Sequence, residues 1–316
     1  MNDSARPTVV VSETLDEKAL DYLAEHATVI LATPENILDI IGPADGLCVR
    51  TYTQVDQALL DTAPRLKVVG RAGVALENID VLACRARGVE VVHTPEANTL
   101  AVVDYTMAVI LRMNRRFWPM TGFMTDEQFH GVRKGTFGRF LADATLGIIG
   151  AGRIGSRVAA AAAGLGMTVL YNDILDITLD CNATPVDKAT LFAESDIITI
   201  HVPLTDLTNK MINADSLAKF KDGAQFINAA RGPCVDYDAL GAALRSKKLS
   251  AVTVDCHDPE PPPEDYALFG LNNAYLTPHT AARVPQAMAN MSKVVEDIVA
   301  MLQGREPRFA AQEGAF

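Results

Sequence analysis

Short apolar runs and longer stretches with apolar residues every three or four positions alternate along most of the chain. The first kind suits strands and the second suits one face of a helix, because side chains repeat every two residues in one and every 3.6 in the other. Strand-like runs fall at Thr8 to Val11, Thr28 to Leu31, Gly46 to Thr51, Leu66 to Arg71 and Val89 to His93. Helical stretches lie at Asp16 to Glu25 and Ile79 to Arg87, and Gly42-Pro43 and Ala63-Pro64 punctuate the series. Strands separated by helices run parallel, since each helix carries the chain back to the same edge. A compact α/β unit ending near Pro95 is expected.

The stretch Ala97 to Met113 is apolar on nearly every face. Such a helix is expected to be buried all round, either in a large core or at an interface, and it reads as the crossing into a second domain and a candidate dimer element. From Met120 to Ala144 the pattern weakens, and Phe123, Phe129, Phe137 and Phe140 stand among charged residues and glycines, which predicts a helix-plus-loop connector. A second series follows. Its strands are predicted at Leu146 to Ile149, Thr168 to Tyr171, Asp196 to Val202, Ala224 to Asn228, Ala251 to Asp255 and Ala274 to Leu276. Helices are predicted at Asp187 to Ala193, Asn213 to Lys219 and Asp238 to Ser246. Glu260-Pro-Pro-Pro263 fits neither helix interior nor central strand, and predicts a rigid loop after a strand's carboxyl end. The last helix starts at Pro285, repeats Met288, Met291, Val294, Val295, Ile298, Val299 and Leu302, and stops at Gly304.

One turn of the second series carries chemistry. After Leu146 to Ile149, the residues Gly150, Gly152 and Gly155 supply the spacing G-x-G-x-x-G, and a helix-forming run from Val158 to Ala163 follows. The first glycine permits a tight turn, the second lets backbone approach a pyrophosphate, and the third lets helix and strand pack closely. The helix start then aims free N–H groups at an anion. Asp173 stands 18 residues after Gly155, beyond the next strand, where an acid meets the ribose hydroxyls of a dinucleotide. A 2′-phosphate would face that carboxylate with no arginine among Ile174, Leu175 and Asp176, so NAD is expected over NADP.

A net charge of −11 weighs against nucleic acid or an anionic membrane as the main partner. Anionic ligands then need a locally basic site, which makes nearby arginines candidates. The five cysteines, Cys48, Cys84, Cys181, Cys234 and Cys256, are odd in number and lack metal-ligand spacing. They read as reduced thiols in packing positions, and no metal is expected. No apolar leader precedes Thr8 and no run approaches membrane length, so a cytoplasmic setting is expected.

Three ionisable groups follow predicted strands downstream of the glycine turn: Arg231 in Asn228-Ala-Ala-Arg-Gly232, Glu260 in Asp258-Pro-Glu-Pro261, and His279 in Thr277-Pro-His-Thr280. They belong at the sheet's carboxyl edge, where open parallel sheets bind ligands. Gly70-Arg-Ala-Gly73, Asn78-Ile-Asp80, His201-Val-Pro-Leu-Thr205 and Asn228 to Asp236 complete an ordered set over most of the chain. Within it, 29 residues separate Arg231 from Glu260 and 19 separate Glu260 from His279. The set resembles the D-isomer-specific 2-hydroxyacid dehydrogenase family.

The resemblance implies an α/β architecture of two doubly wound parallel-sheet domains. One is a Rossmann NAD-binding domain over residues 97–282, and the other a flavodoxin-like substrate domain made of residues 1–96 and 283–316. Two crossings imply a hinge and a cleft that closes on substrate. Among the site residues, Arg231 would hold the substrate carboxylate and polarise the 2-oxygen, because its planar fork suits bidentate binding. His279 would exchange the hydroxyl proton while hydride passes to or from the nicotinamide, and Glu260 would orient the imidazole and favour its charged form. Further resemblance places Arg153 and Ile154 N–H groups on the pyrophosphate, Pro203 and Thr205 near the adenine, and Asp255 and the Ala229 backbone near the nicotinamide. Gly73 backbone, Arg50 and Arg71 would face the substrate, with Arg133 and Arg283 as further candidates. His93 and His201 read as structural.

The expected activity is reversible, NAD-linked oxidation of a small anionic D-2-hydroxy acid by a homodimer, with 3-phosphoglycerate the leading substrate. Gly131, Asp104 and Arg283 depart from residues common in phosphoglycerate dehydrogenases, and the sequence ends before the regulatory domain of the longer ones. The alternatives are a hydroxypyruvate, glyoxylate or D-lactate type reductase, and an NAD-sensing binding protein of corepressor type.

Overall fold

A computed structural model describes residues 6–115 and 119–312. The chain divides into two compact units, one of Met1–Asn98 with Arg283–Phe316, the other of Thr99–Ala282.

The first unit is a five-stranded parallel sheet of β1 (Thr8–Val11), β2 (Thr28–Leu31), β3 (Gly46–Val49), β4 (Val68–Arg71) and β5 (Glu90–His93). Its order is β2-β1-β3-β4-β5, the flavodoxin-like order. β3 is buried along its whole length because helices cover both faces, which explains a run without alternation. Asp16, Asp56 and Asp80 begin helices by accepting a backbone N–H of the first turn. Two short helices, Ile37–Ile40 and Gln57–Thr62, are additions to the sequence reading, for which they are too brief to show a period. The last helix is two: Pro285–Ser292 and Val294–Leu302, with Lys293 at the break. Ile298 of the second piece reaches into the space above Gly70, where any Cβ would collide with it.

The second unit carries seven parallel strands: β6 (Thr145–Ile149), β7 (Thr168–Asn172), β8 (Thr184–Pro185), β9 (Ile197–Ile200), β10 (Ala224–Asn228), β11 (Leu249–Val254) and β12 (Ala274–Leu276). Their order is β12-β11-β10-β9-β6-β7-β8, so the direction of winding reverses between β6 and β9. That reversal leaves a crevice beyond the carboxyl ends of β6 and β9, the place where such sheets take ligands. One face packs Phe226, Leu240, Val252 and Leu191, and the other packs Leu146, Ile148, Val158 and Ala162.

The helix expected to be buried all round runs Thr99–Asn114 and buries one face only, through Ala101, Val102, Val103, Thr106 and Ile110. Leu100 is 66% and Leu111 40% exposed, so the unit's own core covers one face of the helix and leaves the other uncovered in the single chain. Packing on the alanine-rich helix Gly155–Gly164 needs a single stripe, and the apolar residues on its other side are left over. The connector forms a helix, Asp126–Gly135, capped reciprocally by Thr125 and Gln128, with no buried residue.

Candidate active site

The glycine turn follows β6 directly. Gly150 has φ +91°, and a Cβ there would lie 2.6 Å from the His201 carbonyl oxygen at the end of β9. A Cβ on Gly155 would run into the Gly150 carbonyl oxygen, so the third glycine is fixed by the turn folding back onto its helix. Gly152 differs: a Cβ there meets no protein atom within 4 Å. Its smallness serves no packing of this unit, as expected where backbone must approach a ligand. Among the described residues, nothing accepts from the backbone N–H groups of Arg153 and Ile154.

Asp173 follows β7 and braces the same turn, accepting from Ala151 N–H at 2.7 Å and Leu175 N–H at 3.0 Å. Beside it lies a depression of about 300 Å³, lined by Asp173, Ile174, Leu175, Asp176 and Pro185 among others. Its lip is acidic and apolar, with Ile174 80% exposed and no arginine among the lining residues. Pro203 and Thr205 stand exposed after β9, where the Thr208 hydroxyl donates to the Pro203 carbonyl at 2.7 Å and Thr205 N–H donates to that hydroxyl at 2.8 Å.

After β10 the buried Asn228 shapes the next loop. Its amide donates to the Arg231 carbonyl at 3.0 Å, and its oxygen accepts from Ala230 N–H at 3.0 Å. Arg231 is partly buried, and its guanidinium donates to the Ala230 carbonyl at 2.7 Å. Gly232 lies so close to the His257 carbonyl that a Cβ would overlap it, which ties the Arg231 loop to the loop after β11. Ala229, Ile154 and Ala281 share a small apolar cluster with Val102 and Tyr105.

The loop after β11 holds Glu260, and the loop after β12 holds His279. Their side chains meet at 2.9 Å, His279 Nδ1 donating to Glu260 Oε2. The other carboxylate oxygen accepts from His257 N–H at 2.7 Å, so it cannot swing away without losing that bond. His279 is pushed up to about 10 by hydrogen bonds to Cys256 and Glu260, with burial opposing. Burial holds the Cys256 thiol above its ordinary range, so Cys256 stays uncharged and the lasting attraction on the imidazolium is Glu260's. In Glu260 burial works against ionisation, but hydrogen bonds from His279 and His257 hold the carboxyl below its usual range.

His279 itself has φ 52°, in the left-handed region that side chains other than glycine's seldom adopt. Its N–H donates to the Asp255 carbonyl at 2.8 Å, and the Asp255 side chain fixes the rest of the loop. One carboxylate oxygen accepts from Thr277 Oγ1 at 2.6 Å and Thr280 N–H at 2.8 Å, and the other from Ala281 N–H at 2.8 Å. Asp255 is 0% exposed, and its carboxylate is a strut under the His279 loop. The Tyr105 hydroxyl meets Thr277 Oγ1 at 2.6 Å and extends the network to the long helix. Tyr105 and His257 were invisible to sequence reasoning: Tyr105 is 172 residues from its partner, and His257 earns its place by contacts with Tyr266 and the Thr277 carbonyl.

In the first unit, Glu13 accepts from the backbone N–H groups of Arg50 to Thr53 and shapes that loop. The Arg50 guanidinium donates to the Thr14 carbonyl at 3.1 Å and to Met288 Sδ at 3.4 Å. Burial and the charge of Arg283 both act to lower its pKa, so Arg50 and Arg283 are neighbours. The Arg71 guanidinium fills the space where a Cβ of Gly73 would lie. Arg133 is exposed in the last turn of Asp126–Gly135. His201 in the second unit is held neutral by burial, its pKa lowered to about 4, and His93 in the first bonds the Val74 carbonyl at 2.9 Å.

Residues 107–281 match the sequence pattern of the D-isomer specific 2-hydroxyacid dehydrogenase NAD binding domain. A D-3-phosphoglycerate dehydrogenase from Archaeoglobus fulgidus is 34% identical over 96% of this chain, which spans 58% of that protein's length. A hydroxypyruvate reductase from Thermotoga maritima is 34% identical over 93% of the chain and 98% of its own length. A solved structure from Thermus thermophilus superimposes with a TM-score of 0.86 at 32% identity, covering 96% of this chain and 100% of the other. The chain belongs to the D-isomer-specific 2-hydroxyacid dehydrogenase family.

Proposed function

We propose that this chain is an NAD-linked dehydrogenase of small D-2-hydroxy acids, with Arg231, Glu260 and His279 as its catalytic groups. The observation that carries the reading is the Glu260–His279 pair, fixed at 2.9 Å on two adjacent strand-end loops with the Arg231 loop packed against them. When bound, NAD takes or supplies the hydride. The open space at Gly152, the free N–H groups of Arg153 and Ile154, and Asp173 with its bond from Ala151 N–H of the turn suit a dinucleotide's pyrophosphate and ribose. The same acid, with exposed Ile174 and Leu175 beyond it, favours NAD over NADP.

In this reading the Arg231 fork grips the substrate carboxylate and places the 2-oxygen against the imidazole. With its pKa near 10, His279 is protonated at neutral pH and donates to the 2-oxo oxygen as the alcohol forms. In the oxidising direction it must first lose that proton to solvent, and it then accepts the hydroxyl proton. Glu260 keeps the acid charged and Asp255 keeps it in place.

Arg50, Arg71 and Arg283 match the positions expected to face an anionic substrate, which makes 3-phosphoglycerate the first substrate to test. A second reading, hydroxypyruvate or a similar unphosphorylated acid, is supported by two donors of Arg50 being occupied at Thr14 and Met288. It is also supported by the full-length match to a hydroxypyruvate reductase. A steady-state screen of 2-oxo acids, including 3-phosphohydroxypyruvate, with NADH and NADPH separates them. Arg71→Ala should raise the KM of a phosphorylated substrate by about 10-fold or more and spare the others; no turnover on any 2-oxo acid removes the reading.

A homodimer fits the apolar surface of the second unit. Phe123, Phe137 and Phe140 are largely exposed, and Arg139 N–H bonds the Asn114 carbonyl at 3.1 Å, which sets the last two beside the helix carrying Leu111. Light scattering of the purified protein tests it. Five cysteines without a disulfide fit a reducing, cytoplasmic compartment. Among the described residues, no helix is long and apolar enough to cross a membrane.

A further inference from the structure

Cys256 stands at the site without a part in the proton transfer. It follows β11, is 2% exposed, and its thiol donates to the Ala230 carbonyl at 3.4 Å. Its sulfur, a carboxylate oxygen of Glu260 and a ring nitrogen of His279 all lie within 4.8 Å of one another. No ligand spacing in the sequence signals this, because three separate segments bring the donors together. We propose that Cys256, Glu260 and His279 form a binding site for a divalent cation of the zinc class, and that its occupation blocks proton transfer at His279. The binding half stands on the geometry alone, and the inhibitory half rests on the dehydrogenase reading.

One thiolate, one imidazole and one carboxylate make a borderline-soft set that suits Zn²⁺ in a four-coordinate shell, with water in the fourth position. Mg²⁺ and Ca²⁺ select all-oxygen shells and are poor fits. The side chains of His279 and Glu260 are 49% and 38% exposed, so an ion enters from solvent while the buried sulfur closes the inner side. Bond lengths of about 2.0 to 2.3 Å set neighbouring donors roughly 3.3 to 3.7 Å apart in a tetrahedral shell. The His279–Glu260 contact at 2.9 Å therefore opens slightly, and the sulfur already lies within 4.8 Å of both. The charges of Glu260 and Asp255 offset that of Arg231, which also acts on Cys256. Binding releases the thiol proton and the imidazolium proton to solvent, and the ion takes the place of the proton between His279 and Glu260. Whichever ring nitrogen ligates, the imidazolium acid is gone.

Cobalt titration of the full chain tests the site directly. The expected result is one Co²⁺ per chain with a thiolate-to-cobalt charge-transfer absorption that Zn²⁺ displaces. Cys256→Ala should abolish that absorption and weaken binding at least about 100-fold, because loss of a ligand exceeds the 10- to 100-fold loss that a ligand's own support costs. Cys181→Ala should leave both unchanged. A parent protein without the absorption, or a Cys256→Ala protein that keeps it, overturns the proposal; the parent spectrum decides even if a variant fails to fold. Once turnover is established, Zn²⁺ should inhibit the parent, a chelator should reverse this, and Cys256→Ala should be at least about 100-fold less sensitive. Equal sensitivity overturns the inhibitory half. Absence of turnover on every 2-oxo acid ends the dehydrogenase reading, while the cobalt spectrum still decides binding.

Discussion

Replacing Glu260 by glutamine removes a charge and keeps the side chain's shape. In the parent, His279 Nδ1 donates to that carboxylate at 2.9 Å and the imidazole is held up to about 10. The two side chains are 49% and 38% exposed, so water screens them and their attraction falls well below the value for a dry pair. Unit charges about 4 Å apart, as for charge centres spread over an imidazolium and a carboxylate, interact by about 1 kcal/mol in water and about 4 kcal/mol at an effective dielectric of 20. Taking the lower half of that range, loss of the Glu260 charge should lower the imidazole's midpoint by about 1 to 2 pH units, at about 1.4 kcal/mol per unit. The sign follows from the protonated form being the acid in reduction. For the parent, kcat/KM for 2-oxo acid reduction holds at neutral pH and falls as pH rises through the midpoint, whereas oxidation rises there. In Glu260→Gln both midpoints move to lower pH. The assay is NADH absorbance against pH in both directions. Midpoints that stay in place refute the assignment of His279 as the titrating group held by Glu260.

The glycine turn offers a paired test: Gly155→Ala should destabilise by about 1 to 3 kcal/mol in urea melts, because its Cβ meets the Gly150 carbonyl. Gly152→Ala, in open space, should leave stability nearly unchanged but weaken NADH binding about 10-fold or more in fluorescence titration; equal effects in both assays would undo this division of labour. Asp255→Ala leaves Thr280 and Ala281 N–H groups without their acceptor and should cost about 3 kcal/mol or more of stability, with a fall in kcat larger than any change in KM. Titration with both cofactors should show NADH bound much more tightly than NADPH, and Asp173→Ser should narrow the gap; a parent with no preference contradicts the role given to Asp173.

Most of the architecture was legible because its signals are local. Buried parallel strands write themselves as short apolar runs, and Asp16, Asp187 and Asn213, which open predicted helices, cap the observed ones. The three-glycine turn and Asp173 needed only spacing, and Arg231, Glu260 and His279 could be placed at one sheet edge because each follows a strand. For helix Thr99–Asn114 the all-round apolar pattern tells what can be buried but not which face packs within the unit, and that choice belongs to tertiary structure. Tertiary structure alone decided that Asp255 spends its carboxylate on the His279 loop, that Tyr105 joins that network from another element, and that Cys256 sits against Glu260 and His279. The physical reason is the same in each case. Hydrogen-bond and metal-ligand partners are chosen within about 3 Å in space, and a parallel sheet brings together strand ends that lie tens of residues apart along the chain.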